Sequence, residues 1–257
     1  MKIKFIGTGS GKTSLNQFHS SLLLISKNYN LLVDAGDGIS RALLFNEIEF
    51  NIIDGILLTH FHPDHFSGLA TLIVQMKMMN RKNTLDIFIH ESLKNVTADF
   101  LLHSYLIPER MNFEMQYRTF NDNERIIISK NFIILAKKNS HLTKLQKYKS
   151  NYPSLSFYSA SFLFEAEQRK IIYTSDIGSI EDLLLFNGVA PDILITETTH
   201  LNNSELIEAI TKIKARKVYL THHSDDDLNI LSEILATMPP QIQKLIVFAN
   251  DGLSLEI

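Results

Sequence analysis

The chain has 257 residues, 45% of them hydrophobic and 21% charged, with 25 basic against 28 acidic side chains and a formal net charge of -3. That length fits one large domain or two small ones, and either can bury a sizeable core without staples. The sequence has no cysteine, which excludes a disulfide scaffold, a thiolate-held zinc finger, an iron–sulfur cluster and a cysteine nucleophile. No apolar run approaches the roughly 20 residues that span a bilayer, and the apolar stretch in Met1–Ser14 is too short for a signal peptide. These features predict a cytoplasmic protein with no membrane partner. The near-neutral balance argues against a surface coated for nucleic acid, although it allows a local basic patch. Any metal chemistry must use histidine and carboxylate.

In chain order, Lys2–Ile6, Ser21–Ser26 and Asn30–Asp34 read as strands. A helix over Ile39–Phe45, a strand over Asp54–Thr59, a helix over His65–Asn80, a strand over Asp86–His90 and a helix over Glu91–Ser104 follow. Leu106–Asn123 carries little regular signal and reads as an insertion over one face. Beyond it come a strand over Asn131–Ala136, a polar loop over Lys137–Lys149, and strands over Leu155–Phe164 and Lys170–Thr174. A helix over Ile180–Phe186 and the strand Asp192–Thr196 lead into helix Asn203–Ala215, strand Lys217–Thr221, helix Asp225–Ala236 and strand Lys244–Phe248. No repeat, low-complexity tract or linker divides the chain, so residues 1–257 read as a single domain. The hairpin-like opening and the β-α-β-α-β final third predict an α/β (α+β) fold with two mixed sheets face to face and helices outside, a four-layer αββα arrangement.

Gly7-Thr8-Gly9-Ser10-Gly11-Lys12-Thr13 looks like a nucleotide-binding loop. The phosphate-loop pattern needs glycine where Ile6 stands, and no convincing helix follows. It reads as a glycine-rich turn between two strands.

The strongest signal is Thr59-His60-Phe61-His62-Pro63-Asp64-His65-Phe66-Ser67-Gly68-Leu69. It follows the apolar run Ile52–Leu58 and precedes an apolar-periodic helix. His60 and His62, two apart, can point to one side of an extended segment; Pro63 fixes the turn, and Asp64 and His65 start the helix, placed for a second ion. Imidazole and carboxylate ligands suit zinc, with manganese or iron as alternatives.

His-x-His-x-Asp-His at a strand end resembles the hallmark of the metallo-β-lactamase superfamily. Phe5–Ser10 and the Asp-x-Gly turn within Asn30–Gly38 resemble its first hairpins, so the resemblance covers nearly the whole chain and implies a metallo-β-lactamase-like sandwich. By the same analogy Asp34 would brace the metal loop; the alternative is a plain turn aspartate. The resemblance places His141 as the third motif histidine and Asp176 as the bridging aspartate. Thr221-His222-His223-Ser224 resembles the final motif, with His222 favoured over His223 by the alignment on Thr and Ser. Carried over, His60, His62 and His141 would hold one divalent ion, Asp64, His65 and His222 the other, and Asp176 would bridge. The implied activity is hydrolysis by a metal-bridging hydroxide, without an organic cofactor.

The intact Asp64 and the run Ile195-Thr196-Glu197-Thr198-Thr199-His200 resemble the ribonuclease Z-like and phosphodiesterase branch, as does His19-Ser20-Ser21. A dinuclear metal-dependent phosphodiesterase acting on small or nucleotide phosphodiesters is the expectation. A lactone or thioester hydrolase is the alternative, and a non-catalytic binding module the third reading. His200 and Glu197 suit a proton-delivery pair for the leaving group, against the plainer reading of a strand-end histidine bonded to a loop. Transfer RNA is disfavoured as a partner, because no Gly/Pro-rich arm is visible and the balance is slightly acidic. Lys137, Lys138, Lys144, Lys147 and Lys149 make a small basic cluster near His141 that could meet phosphate or simply be solvated. The apolar Leu93–Met115 region is expected to pack on its own body or on the second subunit of a homodimer, as a rim beside the metals.

Overall fold

Strands β1 (Lys2–Gly7), β2 (Ser21–Ile25) and β3 (Asn30–Val33) open the chain, followed by α1 (Ile39–Phe45), β4 (Gly55–Leu57), α2 (Pro63–Phe66) and α3 (Leu69–Met78). Next come β5 (Leu85–His90), α4 (Lys94–His103), β6 (Met115–Phe120), β7 (Arg125–Ser129), β8 (Phe132–Lys138), β9 (Ala160–Ala166) and β10 (Arg169–Tyr173). The chain ends through β11 (Ile193–Glu197), α5 (Asn203–Lys212), β12 (Lys217–Thr221), α6 (Asp225–Ala236), α7 (Pro240–Leu245), β13 (Ile246–Phe248) and β14 (Ser254–Glu256). This computed structural model describes the backbone of residues 1–257 and every side chain except those of Asn203 and Asp225.

The strands form two seven-stranded sheets, ordered β14-β1-β2-β3-β4-β5-β6 and β13-β12-β11-β10-β9-β8-β7. Side-chain alternation explains why both can be layered. In the second sheet Phe162, Phe164, Ile171, Tyr173, Ile193, Ile195 and Tyr219 face the first sheet and share its core with Phe5, Leu22 and Leu24. The intervening Leu163, Ile172, Leu194, Val218 and Leu220 face outward and are covered by Leu206 and Ile210 of α5. Strands buried on both faces need continuous apolar runs, which is why Ile193-Leu194-Ile195 shows no polar alternation. The observed αββα sandwich is the predicted one.

In each sheet a parallel block, β3-β4-β5-β6 and β10-β11-β12-β13, directs its strands to the same rim. Open sheets bind ligands beyond such carboxyl ends. Asp34 leaves β3, Thr59 and His60 follow β4, Asp176 follows β10, Glu197 ends β11 and His222 follows β12.

Several elements differ from expectation. The helix expected over His65–Asn80 is two helices, because the Gly68 N–H leaves the helical ladder and donates to Ala35 O at 2.9 Å. The segment expected to be irregular contains β6, an edge strand that pairs with β5 in parallel. β7 and β14 also lie at sheet edges and escape the sequence reading. Ile180–Leu184 is a 3-10 turn rather than an α-helix, and β9 begins only at Ala160. Within the polar loop after β8, Thr143–Tyr148 forms a further 3-10 turn.

The Leu93–Met115 region does pack on its own body: Leu93, Leu101, Leu106 and Phe113 are buried. Phe100 lies 4.6 Å from Phe66, which stacks on Phe61 at 4.1 Å, so an aromatic chain joins α4 to the metal loop. Among the described residues, no helix is long and apolar enough to cross a membrane.

Candidate metal centre

Strand-exit loops from both sheets converge at the rim. The backbone leaves β3, β10 and β12 through left-handed residues Asp34, Ser175 and His222, at φ 65°, 54° and 53°. Such conformations cost about 1–3 kcal/mol each in a non-glycine residue and persist where surrounding contacts hold them. Here they turn functional side chains inward. Gly36 allows the Asp34 turn to touch the metal loop, since an added Cβ would sit 1.8 Å from the Asp64 carbonyl oxygen. Gly178 likewise lets the Asp176 turn lie against Ser140, beside His141. Asp182 ties those two loops together, accepting hydrogen bonds from Ser140 N (3.0 Å), Ser140 Oγ (2.7 Å) and Gly178 N (2.9 Å).

The structure brings together all seven residues proposed from sequence as ligands. His60, His62, His141 and Asp176 form one group and Asp64, His65, Asp176 and His222 another, with the potential ligand atoms of each within 4.8 Å of one another. Asp176 belongs to both. Its Oδ2 faces His60 Nε2 (3.8 Å) and His141 Nε2 (3.6 Å), while its Oδ1 faces His65 Nε2 (3.2 Å) and His222 Nε2 (3.4 Å). Asp64 Oδ2 closes the second group, 3.2 Å from His222 Nε2 and 3.4 Å from His65 Nε2. His62 presents Nδ1, 3.1 Å from His141 Nε2. Among the described residues, buried His60 Nε2, His65 Nε2 and Asp176 Oδ1 have no hydrogen-bond partner. Orphaned buried polar atoms are costly, and these three, divided between the two groups and all hard or borderline donors, fit divalent cations.

Charge separates the two groups. Burial holds His60 well below the ordinary imidazole range and pushes His141 down to about 4, so the first group offers neutral lone pairs. Burial also disfavours the charged forms of His65 and His222, but Asp176, with Asp34 at His65 and Asp64 at His222, outweighs it and raises both. Burial acts to raise Asp176 and Asp64, and their histidine neighbours more than reverse it, keeping both carboxyls ionised. The second group thus draws positive charge, and the first does not.

Asp34 is a brace, not a plain turn residue. Its Oδ2 accepts from His65 Nδ1 at 2.7 Å and its Oδ1 from Thr59 N at 2.8 Å. His223 lies outside both groups, bonding Ala249 O through Nε2 at 3.0 Å. His200 sits at the rim with ring centroids 4.7 Å from His141 and 5.8 Å from His222.

Glu197 is 1% exposed and accepts from five donors: Ile177 N, Thr199 N, Thr199 Oγ1, His200 N and His200 Nδ1. Burial acts to raise its pKa, but the His200 hydrogen bond overcomes it and the carboxyl stays ionised. A carboxylate surrounded by donors positions its neighbours, and its bond raises His200 above the ordinary imidazole value despite partial burial. Sequence reasoning missed Thr199, Ser175 and Asp182. For Asp182 a signal existed, the capping pattern Ser179-x-x-Asp182. The lysine cluster is partly structural, since Lys137 donates to Leu185 O and Lys149 to Pro153 O.

Two layered sheets with a His-x-His-x-Asp-His loop at their common rim define a metallo-β-lactamase-fold protein. The family described as Anti-Pycsar protein Apyc1 matches residues 1–242, and the chain belongs to that family. It is similar to a ribonuclease Z of Saccharolobus islandicus, 33% identical over 149 residues that cover 58% of this chain and 48% of that protein. A ribonuclease Z of Pyrococcus furiosus is 26% identical over 271 residues, covering 87% of this chain and 86% of that protein. The chain thus spans about half the length of some curated relatives and most of another. Among solved structures, the human short-form tRNase Z superposes with a TM-score of 0.74 at 18% identity, covering 100% of this chain and 99% of that one.

Proposed function

We propose that the protein is a dinuclear metal-dependent phosphodiesterase acting on small or nucleotide phosphodiesters. The observation that supports this best is Asp176, which turns a different carboxylate oxygen to each of two four-residue donor groups. Bound there, two divalent cations would supply Lewis acidity and nucleophilic water near neutral pH. Zinc suits the imidazole and carboxylate donors, with manganese or iron as alternatives. His60, His62 and His141 with Asp176 would hold one ion, and Asp64, His65 and His222 with Asp176 the other.

The chain's own contribution to proton transfer lies at His200. Its Nδ1 bonds Glu197 Oε1 at 2.9 Å, which leaves Nε2–H to protonate a departing alkoxide. The aromatic surface of Phe61, Phe66 and Phe100 and the internal use of Lys137 and Lys149 favour compact substrates over a folded polyanion, whose binding rests on phosphate contacts.

A substrate panel tests the reading: bis(p-nitrophenyl) phosphate, a linear and a cyclic nucleotide phosphodiester, a homoserine lactone, S-lactoylglutathione and precursor tRNA. The phosphodiesters are expected to be turned over with the highest kcat/KM and the tRNA poorly. Lactone or thioester turnover exceeding every phosphodiester would reject it.

A further inference from the structure

His60 and His222 differ from His65 in how their outer nitrogens are held. His65 Nδ1 meets a carboxylate directly, whereas His60 and His222 each meet a threonine hydroxyl. Thr59 Oγ1 lies 3.0 Å from His60 Nδ1 and 2.9 Å from Asp34 Oδ2. Thr199 Oγ1 lies 3.0 Å from His222 Nδ1 and 2.9 Å from Glu197 Oε2. The same chain, carboxylate to hydroxyl to imidazole, is built once from the first sheet and once from the second.

A hydroxyl has one proton and an ionised carboxylate has none. Glu197, saturated by donors, can only accept, so the Thr199 hydroxyl donates to it and turns its lone pairs to His222. The facing His222 Nδ1 must then be N–H, which leaves the ring's lone pair at Nε2, the atom that faces Asp64 and Asp176. Thr199 Oγ1 also lies 3.2 Å from His200 Nδ1, but that nitrogen has the shorter partner in Glu197 Oε1 at 2.9 Å.

We infer that Thr199 is a positioning residue that fixes the tautomer and orientation of His222, so that the one carboxylate of Glu197 serves the ion-holding histidine through a hydroxyl and the rim histidine directly. This rests on the reading that His222 holds an ion and His200 donates a proton. It separates two effects that a change at Glu197 would merge. Losing the Thr199 hydroxyl should weaken the hold of His222 while leaving the Glu197–His200 bond in place, because the Thr199 backbone N–H and both His200 contacts to Glu197 survive.

The test compares Thr199→Val, Thr199→Ser and His222→Ala by zinc competition with a chelator, and by the proton NMR signal of the His222 Nδ1–H in the zinc-loaded protein. Thr199→Val is expected to bind its weaker zinc about 10–100-fold less tightly, as loss of an outer partner of a metal-bound histidine typically does. Its Nδ1 proton should exchange too fast to be seen, and Thr199→Ser should restore both readouts. Thr199→Ala keeps the same backbone contacts and makes the comparison if valine disturbs the fold. If His222→Ala loses an ion while Thr199→Val and Thr199→Ala keep wild-type zinc affinity and the protected proton, the relay is wrong. If His222→Ala itself retains both ions at wild-type affinity, the ligand reading fails and the relay with it.

Discussion

Asp176→Asn is expected to reduce the bound metal from about two ions per chain to one or fewer and to lower phosphodiester hydrolysis at least about 10³-fold. The magnitude follows because a pair of ions supplies several kcal/mol of charge stabilisation, and each 1.36 kcal/mol is about tenfold in rate. No other side chain presents oxygens to both donor groups, so no neighbour can replace it among the described residues. The carboxyl also offsets the raised His65 and His222 imidazoles in a fully buried setting. Metal analysis of the purified variant, with its thermal transition measured in parallel, checks the result. Two retained ions and full activity in a folded Asp176→Asn would remove Asp176 from the bridge.

His200→Gln should separate substrates by leaving group. A diester that expels an alkoxide needs a proton at the departing oxygen, and loss of the general acid should slow it by about 10²–10⁴-fold. Bis(p-nitrophenyl) phosphate expels a stable phenolate and should lose less than about tenfold. The pH profile gives the sign independently. Because the bond to Glu197 raises the His200 pKa above its ordinary value, the acid form is complete at low pH and persists above that value. Activity on the alkoxide diester should fall as pH rises through the raised pKa, and this alkaline limb should be missing in His200→Gln. Equal losses on both substrates, with the limb unchanged, would assign the residue to structure rather than proton transfer.

How much could be read from the chain depended on how local each feature is. His60, His62, Asp64 and His65 share one loop, so their spacing alone displayed a donor set. His141, Asp176 and His222 were legible only through the resemblance, by their order and by the turns that follow their strands. Of the adjacent pair, the left-handed His222 turns toward Asp64 and Asp176 while His223 bonds Ala249. Thr199 was not legible. A threonine beside a glutamate acquires its role only when β11 and β12 lie side by side and bring His222 to its hydroxyl. Asp182 gains its clamp only when the His141 loop folds onto the Asp176 turn.

The same physical reason explains two of the missed strands and the broken helix. β14 pairs with β1 from the opposite end of the chain, and β6 joins β5 across the α4 insertion, so neither has a hairpin signal. The break between α2 and α3 comes where the Gly68 N–H bonds Ala35 O, a long-range contact that the apolar period over His65–Asn80 does not encode.

A zinc titration of metal-free protein, with bis(p-nitrophenyl) phosphate hydrolysis read at each ratio, tests the two-ion site most directly. Activity should be absent in excess chelator and reach its plateau near two ions per chain. Hydrolysis that persists without metal, or that saturates at one ion with no gain from a second, would contradict it.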